Sequence, residues 1–517
     1  MIVLKNIILL LPLFFLFSCT SLPDNTSSKS YAISKSQESR LTVELDEKRK
    51  QLGLNNDETL MILLEDGVDA FVARVSLINA AQKSVDLQYY QYHSDLSGRL
   101  LTAALWRAAE RGVRIRLLVD DMDLAGKDID IAKVNSHPNF EVRIFNPFLR
   151  DKKRTRQLIT GFGAVTRRMH NKTFTVDSSI SILGGRNVGD QYYGAHSDVA
   201  FGDLDIAFTG GVVQEVQTSF DLYWNSEITY GINLLNDHQP SKNDVHEVSQ
   251  ILESFIEEQK NSQYARALRK NDLLSLVKKN KVNEYIGNAE VLYDDPLKIV
   301  SSRDKTEYHL TPKLRPYVEN AKDEIVIVSP YFVPGDEGVA LFGDLVKKGV
   351  KVRVLTNSMK SNDVTIVHSG YSKYRQELLS LGVELYEVDS ARIGILKKYT
   401  DEADSSTASK LTLHAKYFVI DRKITFIGSM NLDPRSRSEN TEIGVIAESK
   451  KLGAFIVEDF DSIVKDGAFT LSLKEGEIIW TQKVGDEIKT YDNDPYSSWW
   501  DRFKNGLLQW LPVESQL

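Results

Sequence analysis

The sequence predicts an α/β protein of two similar lobes, each a mixed, largely parallel β-sheet flanked by helices. Three observations lead to this prediction. The 517 residues, of which 42% are hydrophobic and 26% charged, are enough for two cores of ordinary domain size. A pattern of strand, helix, glycine turn and strand, typical of a β-α-β unit, occurs twice. A short motif containing histidine, lysine and aspartate also occurs twice, at matching places in the two halves.

The first residues have the layout of a secretory signal. Lys5 is followed by an apolar run over residues 7–17, which ends at Ser18 and Cys19. This run is too short for a helix to cross a bilayer of about 30 Å. We therefore predict a cleaved signal peptide at 1–18.

The end of this segment, Leu-Phe-Ser-Cys at 16–19, resembles a bacterial lipobox. The resemblance implies cleavage before Cys19 and lipidation of its thiol. Such an anchor places the protein in a bacterial cell envelope, on the periplasmic side of the inner or the outer membrane. An uncleaved signal anchor with an incidental cysteine is the alternative. Because Cys19 is the only cysteine in the sequence, no intrachain disulfide can form.

The remaining chain divides into a tether and two lobes. Residues 19–40 are rich in serine, lysine and threonine and lack an apolar period, so we predict a flexible tether. We expect the first lobe at 41–288 and the second lobe at 289–517. Residues 241–288 are helical by period and charge, and we expect them to bridge the two lobes.

The repeated β-α-β units support the division into lobes. Each contains a β-branched strand, a helical stretch, a glycine turn and a second strand, at 79–121 and again at 320–358. Strands connected through a helix are predicted to be parallel. Residues 139–147 and 382–388 supply a third strand to each half.

The stretch MHNKTFTVD at 169–177 is repeated as LHAKYFVID at 413–421. In a strand, side chains two residues apart share a face, so the histidine and lysine of each copy are expected to point together. The aspartate has the opposite parity and falls in a predicted turn, so we expect it to brace the hairpin. The candidate catalytic residues are His170, Lys172, Asp177, His414, Lys416 and Asp421.

The second strand of each hairpin supplies further polar side chains. Asn187 and Asn431 follow the two histidines at equal spacing and can donate amide hydrogen bonds to an anionic oxygen. Ser429 can add a hydroxyl, whereas the first half has Gly185 at that position. The candidate substrate-binding residues are Asn187, Ser429 and Asn431.

An acidic side chain is expected beside an imidazole, because a carboxylate fixes the tautomer of the ring. Glu442 is the candidate in the second half. Asp203 and Asp205 are the candidates in the first half, and we assign Asp205.

Two such half-sites suit a phosphodiester if they are brought together. Converging lysines and asparagines stabilise the charge of the transition state, so neither a metal nor a cofactor is expected. One neutral imidazole can attack phosphorus while the other, protonated, donates to the departing oxygen, which leaves a phosphohistidine. From these residues alone, either histidine can be the nucleophile. A metal cluster at Asp120, Asp121 and Asp123 is the less favoured alternative.

These paired motifs resemble the phospholipase D superfamily from about residue 60 to the end of the chain. The resemblance implies an active site at the interface of two similar lobes, with His170 as the nucleophile and His414 as the general acid. Within the superfamily, HNKTFTVD, SPYFVPGDEG and GSMNLDPRSRSENTEIGV look most like bacterial cardiolipin synthases, the C-type lipoproteins in particular.

This second resemblance implies a phosphatidyltransferase that moves a phosphatidyl group between phospholipids through a phosphohistidine. The expected donors and acceptors are phosphatidylglycerol and phosphatidylethanolamine. A hydrolytic phospholipase D, or a phosphodiesterase or nuclease, uses the same two histidines and stays open as the alternative. The net charge of −8 argues against nucleic acid as a partner. A lipid-binding protein without activity is disfavoured because both motifs are intact.

The C-terminal segment SSWWDRFKNGLLQWL carries aromatic and apolar residues at helical spacing with cations among them. This pattern suits a helix that lies on a membrane surface. A terminal helix docked on the core is the alternative. The residues of this segment that share the apolar pattern are Trp499, Trp500, Phe503, Leu507 and Trp510.

Overall fold

The computed structural model describes residues 21–161, 163, 165–194, 199–270, 283–392 and 410–509. The predicted signal peptide, Cys19 and Trp510 lie outside the described residues. Helices and strands alternate along both halves of the chain.

The helices of the described residues are α1 Arg40–Gln51, α2 Gly67–Ala80, α3 Leu96–Glu110, α4 Asp128–Val134, α5 Arg154–Thr160, α6 Val212–Trp224, α7 Lys242–Glu258, α8 Gln263–Lys270, α9 Thr311–Glu319, α10 Gly335–Lys347, α11 Thr365–Ser372, α12 Arg375–Ser380, α13 Pro434–Ser438, α14 Lys450–Gly467 and α15 Trp499–Leu508. The strands are β1 Glu58–Leu64, β2 Ser84–Tyr89, β3 Arg114–Asp120, β4 Phe140–Phe145, β5 Thr173–Val176, β6 Ile180–Gly184, β7 Val199–Gly202, β8 Asp205–Thr209, β9 Thr229–Gly231, β10 Glu284–Tyr293, β11 Glu324–Val328, β12 Lys351–Asn357, β13 Glu384–Val388, β14 Lys410–Leu413, β15 Tyr417–Ile420, β16 Ile424–Gly428, β17 Ile443–Glu448, β18 Ala468–Lys474, β19 Glu477–Val484 and β20 Glu487–Tyr491.

Polar side chains start several of the helices. Asp66 caps α2 by accepting from the backbone N–H of Asp69 at 2.9 Å, and Asp95 caps α3 by accepting from Gly98 at 3.1 Å. Each cap satisfies a backbone donor that has no partner inside the helix. The same helices then bury an apolar face against the sheet.

The first lobe is built on three parallel strands, β2, β3 and β4, with α3 and α4 in the connections. Leu117 of β3 lies between Leu87 of β2 and Val142 of β4. Every residue of β2 is buried, since elements cover both faces of this part of the sheet. Strand β5 pairs antiparallel with β2, and β6 pairs antiparallel with β5 and with β8.

The second lobe repeats this arrangement. Strands β11, β12 and β13 are parallel, with Val354 of β12 between Ile327 and Leu385. Strand β15 pairs antiparallel with β11 as β5 does with β2, and β16 follows as β6 does. The predicted fold class, two similar α/β lobes with largely parallel sheets, is confirmed.

One strand joins the two lobes into a continuous sheet. Strand β10 pairs antiparallel with β1 of the first lobe through residues 284–288 and with β17 of the second lobe through residues 288–293. A separate parallel ladder of β7 and β14 also links the lobes. The predicted boundary between residues 288 and 289 therefore falls inside this shared strand.

The helices that follow the first lobe do not lie between the lobes. Helix α7 packs against α3 and α4, and α8 packs against α2, so both described helices cover the first lobe. The expectation that they bridge the lobes was wrong for these residues. Helical period and charge predict that a segment is a helix, but they do not identify the surface that its apolar side contacts.

The predicted tether is bound to the first lobe over its described residues, 21–39. Asn25 donates to the carbonyl of Thr229 at 2.9 Å, and the backbone N–H of Ala32 donates to Asp221 at 2.8 Å. Buried Arg143 donates to the carbonyl of Ser28 at 2.6 Å. Flexibility was therefore the wrong expectation, because this polar segment finds its hydrogen-bond partners on the lobe. We call residues 21–39 the strap.

Helix α15 docks on the second lobe and also exposes aromatic side chains. Asp501 pairs with Lys360 at 2.7 Å, and Asn505 donates to Ser372 at the end of α11 at 3.0 Å. Trp499 and Trp500 remain 59% and 61% exposed. Among the described residues, no helix combines the length and apolar character needed to cross a bilayer.

Candidate active site

The two His-Lys motifs lie in extended segments just before β5 and β15, where the lobes meet. The backbone N–H of His170 donates to the carbonyl of Thr441 in the second lobe at 2.9 Å. The backbone N–H of His414 donates to the carbonyl of Gly202 in the first lobe at 2.7 Å. Each motif is thus held by the opposite lobe, and both histidines are buried, at 8% and 6% exposure.

Each imidazole is hydrogen-bonded to a carboxylate from the opposite lobe. Nδ1 of His170 lies 2.9 Å from Oε2 of Glu442, and Nδ1 of His414 lies 2.5 Å from Oδ2 of Asp203. With Nδ1 donating to a carboxylate, Nε2 of a neutral ring carries the free lone pair. Glu442 was expected beside an imidazole by its spacing from His414, but its partner is His170 of the other lobe.

Asp205 does not have the orienting role that we assigned to it. Its carboxylate is fully buried and accepts from Arg74 of α2 at 2.8 Å and from the backbone N–H of Arg186 at 3.2 Å. Asp203, in the turn before β8, holds His414 instead. The two aspartates are two residues apart and have the same parity, so the sequence pattern did not separate them.

The carboxylate of Glu442 is fixed by two hydroxyl groups. Ser429 Oγ donates to Oε2, and Ser436 Oγ donates to Oε1 at 2.8 Å. The backbone N–H of Glu442 in turn donates to Asp294 at 2.7 Å. Ser429, which we expected to contact substrate, thus supports the residue that orients His170.

The glycine at the matching position of the first half makes room for Asp203. A Cβ atom on Gly185 would lie 2.1 Å from Oδ1 of Asp203, far inside van der Waals contact. The exchange of Ser429 for Gly185 between the two halves therefore has a physical cause. The carboxylate of Glu442 is supported by the hydroxyl of Ser429, whereas the carboxylate of Asp203 occupies the space that a side chain at position 185 would fill.

The two asparagines have different surroundings. Asn187 accepts from the backbone N–H of Gln91 at 3.1 Å and donates to the hydroxyl of Tyr192 at 2.8 Å. The side-chain oxygen of Asn431 is buried and has no hydrogen-bond partner among the described residues. A buried amide of this kind is costly unless a ligand pairs with it. Asn431 is therefore the better placed of the two to accept a hydrogen bond from a donor group of a ligand.

The motif aspartates brace the backbone in both lobes. Asp177 accepts from the backbone N–H groups of Lys83 at 2.8 Å and Ser84 at 3.0 Å, where β2 begins. Asp421 accepts from Asp323 and Glu324 at the start of β11, at the same two distances. Both aspartates have positive φ, 49° and 52°, as a tight hairpin requires.

Burial and neighbouring cations set the protonation of the first half-site. Burial lowers the pKa of His170 to about 4, and the positive charges of Lys172 and Lys416 act in the same direction. Burial, together with the charge of Lys416, lowers the pKa of Lys172 to about 7. His170 is therefore neutral at neutral pH. The two motifs lie at the same junction, because His170 contacts Glu442 of the second lobe and His414 contacts Asp203 of the first.

The second half-site is similar. Burial and the charge of Lys416 lower the pKa of His414. The pKa of Asp203 is lowered despite its burial, because His414 and Lys416 favour the carboxylate. The pKa of Glu442 is likewise lowered despite its burial, because His170 favours the carboxylate. Both carboxylates are thus ionised beside the rings they orient.

Aromatic side chains pack on both imidazoles, and the motif analysis did not identify them. Tyr90 lies edge-on to His170 with ring centroids 5.1 Å apart. Tyr192 and Phe201 contact His414, at 5.1 and 5.0 Å. These contacts pack the imidazoles against the surrounding side chains. Tyr90 directly follows β2 in the stretch QYYQY.

Asp120, the last residue of β3, and Asp121 pair with arginines of the segment 150–168, which precedes His170. Asp120 pairs with Arg168 at 2.8 Å, with both side chains fully buried, and accepts from the backbone N–H of Met169 at 2.9 Å. Asp121 pairs with Arg154 at 2.7 Å. In the part of the chain that the structure describes, no three metal-binding side chains are grouped for a metal ion. These aspartates therefore position the segment that leads to His170.

Two duplicated α/β lobes with paired His-Lys motifs at their interface define a protein of the phospholipase D class. A family model described as "Cardiolipin synthase, PLD-like domain" matches residues 75–224 and 314–464. These two matches cover more than half of the chain and carry both motifs. The chain belongs to this family of cardiolipin synthases with a phospholipase D-like domain.

Individual relatives agree with this assignment. Cardiolipin synthase C of Escherichia coli is 37% identical over 454 residues, which covers 87% of this chain and 94% of the relative. An uncharacterised protein of Helicobacter pylori is 35% identical over 451 residues, with 86% and 87% coverage. The fold is similar to that of phosphatidylserine synthase from Haemophilus influenzae, with a TM-score of 0.54 at 13% identity, over 90% of this chain and 96% of that one.

Proposed function

We propose that the protein is a phosphatidyltransferase that makes cardiolipin-type lipids by moving a phosphatidyl group between phospholipids. One observation carries the proposal: two buried imidazoles, each oriented by a carboxylate of the opposite lobe, share a site with two lysines. The relation to cardiolipin synthase C of Escherichia coli supports phospholipids as the substrates.

In the first step, the lone pair on Nε2 of His170 attacks the phosphorus of the donor lipid. The ring is neutral because burial lowers its pKa to about 4, and Glu442 holds the proton on Nδ1. The bond between phosphorus and the headgroup oxygen breaks, and His414 gives that oxygen its proton. The negative phosphodiester favours a protonated His414, and Asp203 stabilises the imidazolium.

In the second step, the hydroxyl group of the acceptor lipid attacks the phosphohistidine. His414, now neutral, takes the hydroxyl proton as the new oxygen–phosphorus bond forms and the bond to Nε2 of His170 breaks. Lys172 and Lys416 stabilise the equatorial oxygens in both steps. We propose phosphatidylglycerol, whose headgroup has free hydroxyl groups, as the acceptor, and phosphatidylglycerol or phosphatidylethanolamine as the donor.

The acceptor is tested by product analysis with the purified full-length protein. Labelled phosphatidylglycerol is supplied in mixed micelles, with and without phosphatidylethanolamine, and lipids are separated by chromatography. Cardiolipin as the product supports the proposal. Phosphatidic acid alone means that water discharges the intermediate and identifies a hydrolase. Cleavage of DNA without turnover of lipid identifies a nuclease and refutes the proposal.

The two histidines are tested by His170→Ala and His414→Ala, with His246→Ala on the surface of α7 as the control. Loss of a nucleophile or a general acid is expected to lower kcat by about a thousandfold or more. The control is expected to keep the activity of the parent protein. Circular dichroism should be unchanged in all three. Substantial turnover in either site variant contradicts the two-histidine mechanism.

We also propose that the protein acts at a membrane surface. The exposed side chains of Trp499, Trp500 and Phe503 on α15 suit the interface between headgroups and acyl chains. Lipidation of Cys19 adds a second attachment, on the periplasmic side of the inner or outer membrane of a bacterial cell envelope. Two weak attachments together hold a protein on a bilayer more firmly than one.

A further inference from the structure

Both motif histidines lie at the carboxyl ends of parallel strands. Strand β5 begins opposite the end of β2, with Thr173 next to Gln88, and β15 begins opposite the end of β11. His170 and His414 come just before β5 and β15, so they lie beyond these strand ends. Strands β3 and β4 are parallel to β2, and their carboxyl ends are therefore on the same side as His170. We call the ends of β2, β3 and β4, with the segments that follow them, the carboxyl edge of the first lobe.

A basic segment lies on this carboxyl edge. Residues 150–156 read RDKKRTR, with five cations and Asp151 as the one acid. Arg150 and Arg154 pair with Asp121, which directly follows β3. Arg154 also donates to the backbone carbonyl of Asp121 at 2.7 Å. These contacts fix the basic segment beside the end of β3.

The other three cations of the basic segment are available for a partner. Lys153 and Arg156 are exposed, and Lys152 is half-buried. Among the residues that the structure describes, none of these three side chains forms an ion pair with a carboxylate. The net charge of the whole chain is −8, so this group of cations differs in sign from the average of the molecule. A local positive potential of this kind attracts anionic partners.

The strap also leads to the carboxyl edge. Asn25 donates to the carbonyl of Thr229, which pairs in register with Phe145, the last residue of β4. The other end of the strap lies at the opposite edge, where Ser39 donates to Asp177 beside the start of β2. The N-terminal end of the strap is therefore on the same side of the first lobe as His170.

The matching position of the second lobe carries α15. Lys360 follows β12, the counterpart of β3, and pairs with Asp501 of α15 at 2.7 Å. The same helix exposes Trp499 and Trp500, for which we proposed contact with a membrane. The basic segment and α15 thus flank one active site, one on each lobe.

We propose that the carboxyl edge of the first lobe contacts the anionic surface of a phospholipid bilayer through Lys152, Lys153 and Arg156. The proposal rests on the proposed function, which places the substrates in a bilayer. Basic side chains are attracted to anionic headgroups, and the attraction decays within a Debye length. Together with α15 and an anchor at Cys19, shortly before the strap, this contact turns the side that carries both histidines toward the lipids.

Vesicle binding tests the contribution of these charges. The mature polypeptide, residues 19–517 without a lipid on Cys19, is sedimented with phosphatidylcholine vesicles that contain phosphatidylglycerol. The triple variant Lys152→Gln, Lys153→Gln and Arg156→Gln is expected to bind about ten- to a hundredfold more weakly than the parent polypeptide. Binding of the parent should weaken as the salt concentration rises, and binding of the variant should depend less on salt.

The control removes three exposed cations from the other end of the strands. Lys322→Gln, Lys347→Gln and Lys348→Gln lie before β11 and β12, at the amino ends of these strands. Vesicle binding by the control should equal that of the parent, and thermal unfolding shows whether both triple variants are folded. Equal vesicle binding by the two triple variants overturns the proposal, as does binding of the parent to duplex DNA in preference to the vesicles.

A fluorophore tests which edge meets the bilayer. In a Cys19→Ser background, an environment-sensitive dye is attached at Thr155→Cys in the basic segment or at Asp323→Cys before β11, both of which are exposed positions. Phosphatidylglycerol vesicles should shift the emission to the blue at position 155 and leave it unchanged at position 323. A shift at position 323, or at neither position, contradicts the proposal.

Neither experiment requires turnover, which separates this proposal from the proposed function. If the parent polypeptide turns over no phospholipid, the proposed function fails. The two triple variants and the dye then still decide whether the carboxyl edge contacts a bilayer.

Discussion

His170 and His414 depend on residues that are distant in the sequence and belong to the opposite lobe. Glu442 holds the first ring and Asp203 the second, at 2.9 and 2.5 Å. A carboxylate beside Nδ1 fixes the tautomer and stabilises the imidazolium when it forms. The tautomer of each histidine is therefore correct only when both lobes are in place.

The pH dependence of kcat/KM is predicted from both half-sites. Protonation of His170 removes the nucleophile below its pKa of about 4. On the alkaline side, deprotonation of Lys172 removes a cation above its pKa of about 7, and deprotonation of His414, whose pKa is lowered by burial, removes the general acid. Activity should thus rise from acid pH, reach a maximum between these values and fall on the alkaline side. Measurement over pH 3.5–9 with a soluble short-chain lipid checks this, and a rate that keeps rising above pH 8 contradicts it.

Gly185 is predicted to be essential for the position of Asp203. In Gly185→Ala the new methyl group displaces the carboxylate that holds His414, so we expect kcat to fall by about ten- to a hundredfold with little change in KM. Gly211→Ala is the control, because its methyl group meets nothing closer than 3.5 Å. Steady-state kinetics and thermal unfolding of both variants give the comparison. Equal kcat values in the two variants would rule out this role for Gly185.

The sequence identified the histidines and lysines because their motif is short and occurs twice. It did not identify the exchange of carboxylates between lobes, since that depends on how two distant segments pack. Asp203 and Asp205 have the same parity, and only the surroundings, His414 for one and Arg74 for the other, separate them. Local periodicity does not show which distant side chain each aspartate contacts.

At the scale of elements, strands were easier to predict than the surfaces on which helices and loops pack. The β-branched runs of β2, β3, β11 and β12 were identified because parallel strands are buried on both faces. The strap was expected to be flexible from its composition. Asn25 instead donates to the carbonyl of Thr229, and the backbone N–H of Ser30 donates to the side chain of Asn225, which composition alone cannot specify.

Helix α15 is predicted to contribute to membrane binding through its exposed aromatic face. The double substitution Trp499→Ser and Trp500→Ser removes two exposed rings without touching Asp501 or Asn505, which dock the helix. We expect binding to phosphatidylglycerol vesicles to weaken by about tenfold or more. Vesicle co-sedimentation measures this with protein that lacks residues 1–18 and is therefore not lipidated.

The control for this experiment is Ile129→Ser on α4, where an exposed apolar residue of the first lobe is removed. Its vesicle binding should equal that of the parent protein. Turnover of a soluble short-chain lipid should be unchanged in both variants. Equal vesicle binding by the α15 variant and the control would exclude a role of this face.

At the scale of the whole molecule, the lobes are parts of one sheet. Strand β10 pairs with both lobes, and the ladder of β7 and β14 adds a second connection. Duplication in the sequence predicted two lobes and an active site between them. It did not predict a shared strand, because a repeat describes each copy and not the segment that connects them.

The shared sheet predicts that the lobes unfold together. Breaking β10 exposes edges of both lobes and also separates each histidine from its carboxylate, so a state with one lobe folded should be poorly populated. Urea unfolding followed by far-UV circular dichroism and by tryptophan fluorescence should give coincident transitions. Two separate transitions would show that the lobes are independent.

The exchange of carboxylates also bears on why the two halves differ. In a symmetric dimer of single lobes, every substitution would appear in both half-sites at once. Fusion into one polypeptide removes this constraint, so Ser429 can stand in one half and Gly185 in the other. The two carboxylates that orient the rings are thereby supported in different ways, and the two half-sites can take different parts in attack and in proton delivery.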